Sequence, residues 1–487
     1  MEQPVDPTIT LETCGPVSCC DVLPPAAADG ACPCGANNNC PDPNELQGDI
    51  FVFPKKVEAF IFFNIKDILA FKEALRNFEP TSAADVVNNL KCISEAKCDA
   101  KDGEVPLLPI VQQQIGFNRT GLDLLGLSEK TGEDAFDRNN NPLLEQYHSL
   151  VIITACDSDG LEKAVKAFLE LFNGAIDNVL RVDGKRRPGK LEKHEHFGFR
   201  DGISQPAMRG LTCPLPGQLE VDAGVILVGY AGDPLFDKRP EWARGGTFMV
   251  YRRWEQDVEG FNNYLAFNGK RWREFVPPVP LEPGETLTDE QGAELFGARL
   301  FGRFKSGAPL AITPVFDNPQ LAEDKYSNNN FDYTAPGTLE NSEKYCPFTS
   351  HIRKVNPRNP NSGLSIKEIE AAAIVRTSIA YGDELPDPNP RGLQFVCYQS
   401  SPRAGFYDAF DRFAMNENFP PCPPKKHGVD GIMGSMNVPK LGIVCSHDPL
   451  SALPQHFITL RAGEDFFVPS IPTLKYVAQM TTMCCCC

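Results

Sequence analysis

The stretch EAFIFFNIKDILAFKEAL, residues 58–75, joins an apolar run to a segment in which apolar residues recur with helical periodicity. Residues 59–63 are all apolar, which is typical of a strand buried on both faces. The apolar positions that follow at helical spacing are Ile68, Leu69, Phe71, Leu75 and Phe78. They predict a helix over residues 66–78, directly after the strand.

The same order of strand and helix returns at GTFMVYRRWEQDVEGFNNYL, residues 246–265. Here residues 247–251 predict a strand and residues 257–265 a helix. Another strand is predicted over residues 150–154. The cluster Asp157-Ser158-Asp159 after it supplies helix N-caps for a helix to about Phe172. This repeated plan favours two similar α+β halves, with a boundary near residue 243.

Three stretches rich in proline and asparagine predict surface loops, because these residues favour turns. They cover residues 277–290, 317–341 and 383–391.

Composition restricts the classes of function. The chain has 487 residues, 42% hydrophobic and 23% charged, which is typical of a globular protein with more than one core. The net charge of −17 makes nucleic acid an unfavourable partner. No apolar run is long enough for a transmembrane helix, and the first residues lack the basic and apolar regions of a secretory signal. We therefore expect a cytoplasmic protein, with an extracellular one as the alternative.

Cysteines are concentrated at both ends of the chain. Six of the 18 lie in the first 40 residues, and four are the last four residues. Residues 1–45 show no periodicity and predict a disordered extension, with metal or thiol chemistry as the alternative. Residues 481–487 form a cysteine tail, for which palmitoylation or no role both remain open. The cysteines scattered through the body favour buried thiols in a reducing compartment over a disulfide framework.

The segment Gly198-Phe199-Arg200-Asp201-Gly202 presents one carboxylate between two glycines. Glycine lets the backbone bend tightly and approach a bulky group. Asp201 is therefore expected on a constrained loop, where burial or a nearby charge can tune its proton affinity.

Four later segments accompany this loop: CPFTSHIRKVNPR (346–358), AIVRTSIAYG (373–382), GLQFVCYQS (392–400) and GEDFFVPS (463–470). Together, and in this order, they resemble the motifs of the dye-decolorizing peroxidases, a family of haem enzymes, and most of all its long fungal members. The resemblance runs from about residue 46 to about residue 478. Gln394 stands where the family has leucine.

The resemblance implies two ferredoxin-like halves, each an antiparallel sheet flanked by helices, with haem held by the second half. The domains expected from it are the extension 1–45, an N-terminal domain 46–242, a C-terminal haem domain 243–480 and the tail 481–487. It also implies haem b, hydrogen peroxide as the oxidant, a ferryl intermediate, and phenolic or dye-like aromatic donors. The oligomeric state is not predicted.

Haem iron needs an axial donor, and imidazole is the usual one in peroxidases. The resemblance assigns this position to His351. It assigns the acceptor that orients a ligating histidine to Asp430, in GVDGIMG, although a turn aspartate beside a glycine is an alternative. His194 and His196 form an H-x-H pair, but zinc needs further ligands, so we interpret them as loop or haem-edge residues.

On the opposite face of the haem, one acid–base group can move the proton that peroxide cleavage requires. The resemblance gives this role to Asp201, and gives Arg376 the stabilisation of negative charge on the leaving oxygen. Loop capping and pairing with a haem propionate are the alternative roles of these two residues. Leu393 and Phe395 correspond to an apolar wall beside them.

A bulky donor that cannot reach the iron needs a relay of oxidisable aromatic residues. Tyr381 is expected at the haem edge, whereas Phe413 stands where relatives often carry tryptophan, which puts oxidation of large dyes in doubt. Trp242, Trp254 and Trp272 are interpreted as packing residues. A haem carrier without enzymatic activity and a chlorite-type enzyme on a related fold are the rival functions.

Overall fold

The computed structural model describes residues 40–99, 108–127, 129, 131, 147–276, 286–334, 342–343, 345–358, 363–421, 427–433 and 457–480. The predictions for residues 1–39 of the extension and for the tail 481–487 lie outside the described residues. Cys40, where the description begins, is disulfide-bonded. The free thiols of Cys156, Cys346 and Cys397 are buried, as predicted for cysteines of the body, whereas Cys92 is exposed and Cys213 is half-buried.

The strands are β1 (Val57–Ile65), β2 (Val111–Phe117), β3 (Ser149–Ala155), β4 (Ile176–Lys185), β5 (Ala207–Met208), β6 (Glu220–Val221), β7 (Thr247–Gln256), β8 (Val375–Arg376), β9 (Ile379–Tyr381), β10 (Gly392–Gln399) and β11 (Ile458–Val468). The α-helices are α1 (Ile68–Arg76), α2 (Ala83–Asp99), α3 (Arg119–Leu124), α4 (Ser158–Leu171), α5 (Val258–Gly269), α6 (Asp289–Phe301), α7 (Pro319–Glu323), α8 (His351–Val355), α9 (Ile366–Ala371) and α10 (Ile471–Gln479). A π-helix spans Arg403–Ala414, and short 3₁₀ turns occur in the connections.

Nine strands form one sheet in the order β4-β1-β3-β2-β11-β7-β10-β8, with β9 also paired to β10. Its strand pairs are antiparallel, and β11 joins the two halves by pairing with β2 on one side and β7 on the other. β4, at one end of this order, approaches β9, which lies near the other end. A Cβ atom at Gly184 of β4 would lie 2.3 Å from Cγ2 of Ile379 in β9. The sheet therefore curls into a barrel, and only glycine fits at this close approach.

Both predicted strand-and-helix units are present. The run over residues 59–63 is the centre of β1 and is buried on both faces, which explains why it is continuously apolar. In each half an aspartate caps the helix that follows: Asp67 before α1 and Asp257 before α5 accept hydrogen bonds from backbone N–H groups. The predicted helix after Asp157 is α4. The predicted α+β fold is confirmed, whereas the boundary near residue 243 stays a prediction.

The loop predictions are wrong in two places. α6 begins at Asp289, and a capping box between Thr288 and Gln291 stabilises its start. α7 begins at Pro319, and the side chain of Asn318 caps it. Proline and asparagine are favoured at helix starts as well as in turns, so composition alone misread these segments. Residues 277–285 and 335–341 lie outside the described residues. Residues 383–391 contain neither helix nor strand, as predicted.

Aromatic side chains fill both sides of the sheet. Inside the barrel, Phe60 and Phe62 pack against Tyr251, with ring centroids 5.4 and 5.1 Å apart. On the outer side of the N-terminal half, Phe71 packs against Phe172 beneath α1 and α4. A third cluster lies between α5 and α6 and borders the cavity described next. Among the described helices, none combines the length and apolar character needed to cross a membrane.

Candidate active site

A large cavity lies on the outer side of β7 and β10, between these strands, α8, the π-helix and the loop 195–206. It encloses about 1790 Å³ of empty space, counted out to its mouth. Aromatic and aliphatic side chains make up much of its wall, including Trp254, Phe301, Leu393, Phe395, Phe406 and Phe410. The rings of Phe406 and Phe410 are parallel within 11°, with centroids 6.2 Å apart. The cavity thus suits a large, mainly apolar ligand.

His351 stands at one side of this cavity, at the first position of α8. Its Nδ1 atom lies 2.7 Å from Oδ2 of Asp430, whose side chain is fully buried. The other carboxylate oxygen of Asp430 accepts hydrogen bonds from the backbone N–H groups of Ile432 and Met433. With Nδ1 donating to the carboxylate, the imidazole keeps a lone pair on Nε2, which is the form that binds a metal.

Asp201 lines another part of the cavity wall, on the predicted glycine loop. Gly198 and Gly202 have φ angles of +95° and +78°, which side chains rarely allow, so the glycines are required by the turn. One oxygen of Asp201 accepts the backbone N–H of Gly202 at 2.6 Å. The same oxygen lies 3.9 Å from Nη2 of Arg376, so carboxylate and guanidinium converge at the cavity wall.

Gln205 ties the loop of Asp201 to the strand of Arg376. Its side-chain amide donates to the Arg376 carbonyl at 2.7 Å, and its side-chain oxygen accepts the Arg376 N–H at 3.0 Å. The Arg376 guanidinium also donates to the Ser204 carbonyl. Gln205 therefore pairs with β8 as a neighbouring strand would, and it fixes the acid and the arginine relative to each other.

Leu393 and Phe395 both line the cavity, as predicted, because residues two positions apart in β10 lie on the same face of the strand. Gln394 between them faces the interior of the barrel, where its side-chain oxygen accepts a hydrogen bond from the Tyr251 hydroxyl at 2.7 Å. The departure from leucine at this position therefore leaves the cavity wall unchanged.

Two arginines at the cavity were not predicted: Arg303, which is buried, and Arg358, which is partly buried. Arg303 and Arg358 donate to backbone carbonyls and to the Asn329 side chain, and no ion pair among the described residues includes either of them. Burial lowers the pKa of both guanidiniums, and Arg358 lowers that of Arg303 further. Guanidinium groups nevertheless stay charged in proteins. Two cations that line a cavity, one buried and one partly buried, favour a ligand with acidic groups.

Several predicted positions lie elsewhere. Tyr381 and the pair His194 and His196 do not line the cavity, and the two histidines lie in a loop; the interpretation as haem-edge residues stays a prediction. His196 instead hydrogen-bonds the Tyr381 carbonyl through Nε2. In the part of the chain that the structure describes, no cluster of three or more His, Cys, Asp or Glu side chains could hold a metal ion.

Phe413 and Trp254 differ in where their side chains lie. Phe413 is buried and stacks on Phe419, with centroids 4.4 Å apart. Trp254 was interpreted as a packing residue, yet it lines the cavity. Trp254 and Gln256 share one face of β7, and both line the cavity.

Comparison with known proteins identifies the class. The family model of the DyP dimeric alpha+beta barrel domain matches residues 45–188. The dye-decolorizing peroxidase of Exidia glandulosa is 35% identical over 462 residues, covering 88% of this chain and 86% of that protein. The solved structure of an ancestral D-type dye-decolorizing peroxidase superimposes with a TM-score of 0.79 at 36% identity, covering 90% of this chain and 99% of the other. A dye-decolorizing peroxidase in complex with 2,6-dimethoxyphenol gives a TM-score of 0.74 at 33% identity, covering 90% and 100%.

The chain belongs to the dye-decolorizing peroxidases. It is an oxidoreductase that acts on peroxide, and its family uses haem. The cavity fits that cofactor on four independent features: its largely apolar wall, the Nε2 of His351, the pair of Asp201 with Arg376, and the cations Arg303 and Arg358.

Proposed function

We propose that this chain binds haem b, reduces hydrogen peroxide, and oxidises phenolic or dye-like aromatic donors. The observation that carries the proposal is that one cavity is lined both by His351, which is paired with Asp430, and by Asp201, which is paired with Arg376. The comparisons support the donor class, since one solved relative is in complex with 2,6-dimethoxyphenol.

His351 would ligate the haem iron, and Asp430 would hold the imidazole in place. The buried carboxylate holds the Nδ1 proton and thereby makes the imidazole a stronger donor at Nε2. Bound haem supplies the redox chemistry of peroxide cleavage. Arg303 and Arg358 are placed to bind its two propionates, because carboxylates would neutralise cations that find no acidic partner among the described residues.

Asp201 transfers the proton of peroxide cleavage, and Arg376 stabilises the negative charge that develops. The Asp201 carboxylate accepts a proton from one oxygen of hydrogen peroxide and returns it to the departing oxygen. Arg376 stabilises the negative charge that develops on that oxygen. A haem carrier has no use for an acid–base group beside an arginine, so this pair favours the enzyme over the carrier.

An optical spectrum of the purified protein tests the proposal. The wild type is expected to show a haem Soret band that changes on addition of hydrogen peroxide, with oxidation of a phenolic donor. His351→Ala is expected to lose this band or to alter it strongly, and added imidazole is expected to restore part of it. An unchanged Soret band and unchanged turnover in His351→Ala would overturn the assignment of the ligand.

A further inference from the structure

A second pocket lies on the far side of the segment 194–198 from the haem cavity. We propose that this pocket binds the sulfonate or carboxylate group of an anionic aromatic donor. It encloses about 1030 Å³ of empty space, counted out to its mouth. We call it the cationic pocket, after four of its lining residues, Arg187, Lys190, Lys305 and Arg391. The inference names a donor class and a donor site, and so it rests on the proposed function.

Charge is the first argument. Among the pocket's described lining residues the single carboxylate is Glu384, which Arg187 holds through two hydrogen bonds of 2.7 and 2.6 Å. Arg391 donates to backbone carbonyls, which carry no net charge. Three positive charges therefore remain in excess, on a chain whose net charge is −17. A concentration of cations in a concave site attracts anions and concentrates them there.

The environment of Lys305 also favours an anionic ligand. Its stem packs against Gly198, where a Cβ atom would lie 3.4 Å from it. The described residues provide no hydrogen-bond or ion-pair partner for its ammonium group, and the Phe199 ring is 6.0 Å away. Burial lowers the pKa of Lys305, while the charges of Glu195 and Glu294 oppose this effect. A half-buried ammonium without an acceptor favours a bound anion.

Part of the remaining wall is apolar. Leu191 and Leu385 are 37% and 47% exposed at the pocket, and Phe197 and Val258 complete this side. Cations beside exposed apolar side chains suit a ligand that combines a ring with an acidic group better than they suit a bare inorganic anion.

Phe197 lines both the cationic pocket and the haem cavity. A donor in the pocket would therefore lie one side chain from the cavity and could be oxidised without entering it. Two phenolic donors, each losing one electron and one proton, supply what hydrogen peroxide needs to become two waters. This route would serve donors that are too bulky for the cavity itself.

Binding is measured on the resting full-length protein, without peroxide, by calorimetric titration with naphthalene-2-sulfonate. Naphthalene-2-methanol, which has the ring without the charge, is the ligand control. The double variant Lys190→Gln/Lys305→Gln is expected to weaken sulfonate binding at least about tenfold, as for the loss of two charge-assisted contacts. Lys163→Gln, which removes an exposed lysine on α4, is the matched control and is expected to bind as the wild type does.

Equal sulfonate affinity in the wild type and the double variant would overturn the proposal, as would equal affinity for the neutral analogue. Competition by inorganic phosphate as strong as by the sulfonate would overturn its aromatic part. If the double variant does not fold, Lys190→Gln alone decides, because Lys190 is exposed and its loss leaves no buried charge; a several-fold weakening is then expected.

Turnover separates the pocket from the peroxidase itself. With hydrogen peroxide, the double variant is expected to raise KM for a sulfonated naphthol at least about fivefold and to leave kcat/KM for an uncharged phenol unchanged. Sulfonate binding without any peroxide turnover would reject the proposed function and keep the pocket. Turnover of both donors unaffected by the double variant would reject the pocket and keep the peroxidase.

Discussion

The two sides of the haem cavity are built in different ways. On the His351 side, the partner carboxylate of Asp430 is fully buried and accepts three hydrogen bonds. On the Asp201 side, the carboxylate is 38% exposed, the arginine 27% exposed, and their closest atoms are 3.9 Å apart. A permanent ligand must keep one orientation and one tautomer, whereas an acid–base group must exchange protons with its surroundings. The burial of each carboxylate matches its task.

The most severe test of this contrast removes the acid on the open side. Asp201→Asn keeps the shape of the side chain and removes its basicity. The rate of reaction with hydrogen peroxide, measured by stopped-flow absorbance, is expected to fall on the order of 10²-fold or more. Glu323→Gln is the matched control, since Glu323 pairs with the neighbouring Arg200 and is largely exposed. A wild-type rate for Asp201→Asn would break the assignment.

Arg376 tests the charge rather than the proton. Arg376→Leu is expected to slow the reaction with peroxide by about 10²-fold, since one fixed donor to a developing anion has an effect of this size. Arg376→Lys keeps a positive charge and is expected to recover part of the rate. If the leucine and lysine variants react equally slowly, the effect is one of shape, and the electrostatic role is wrong.

Gln205 tests whether the open side depends on positioning. Gln205→Leu removes both hydrogen bonds to the backbone of Arg376 and is expected to lower the rate with peroxide about tenfold, because small displacements of reacting groups are costly. The Soret band of the resting enzyme is expected to stay unchanged. Gln113→Leu, in the N-terminal half, serves as the control. Loss of haem in Gln205→Leu would indicate a general structural role instead.

Asp430→Asn probes the closed side. The amide can still accept from backbone N–H groups but bears no charge, so the imidazole becomes a weaker donor and the reduction potential of the iron is expected to rise. Stability is expected to fall by about 1–3 kcal/mol, since a buried polar group loses a charged partner. Spectroelectrochemistry and thermal unfolding measure the two effects. An unchanged potential would contradict the role of Asp430.

The smallest expected effect concerns Glu58, which Lys55 links to Thr377, the residue after Arg376. Inside the barrel, Lys55 bonds both Glu58 and the carbonyl of Thr377, and Thr377 donates to Asp49. Burial raises the pKa of Glu58 from 4.5 to about 7; Lys55 opposes this shift and Asp49 adds to it. The folded chain thus holds this proton more tightly than the unfolded chain does.

The contribution of Glu58 to stability is therefore complete below about pH 4.5 and is lost as the pH rises to about 7. Glu58→Gln cannot ionise, so its melting temperature is expected to fall less than that of the wild type between pH 5 and pH 7.5. Differential scanning calorimetry at the two values measures the difference. Parallel pH profiles of wild type and variant would show that Glu58 does not titrate in this range.

Helices and strands could be predicted where a local sequence pattern marks them, whereas contacts between distant segments leave no such pattern. β1, α1 and their helix caps were predictable because burial on both faces and capping leave local patterns. The contact of His351 with Asp430, 79 positions later, was predicted from family motifs and is present. Arg303 and Trp254 lie in locally ordinary segments, and only the folded chain shows that they face the cavity. The cellular compartment and the domain boundary stay predictions.

The position of β11 has a consequence for synthesis. This strand is the last of the described strands along the chain, yet it lies in the middle of the sheet between β2 and β7. A ribosome that has made the N-terminal half has therefore produced an open strand edge at β2, of the kind that pairs with foreign strands. The sheet can close only after residues 458–468 have emerged. Nascent chains of this protein are thus expected to need chaperone protection until translation is nearly complete.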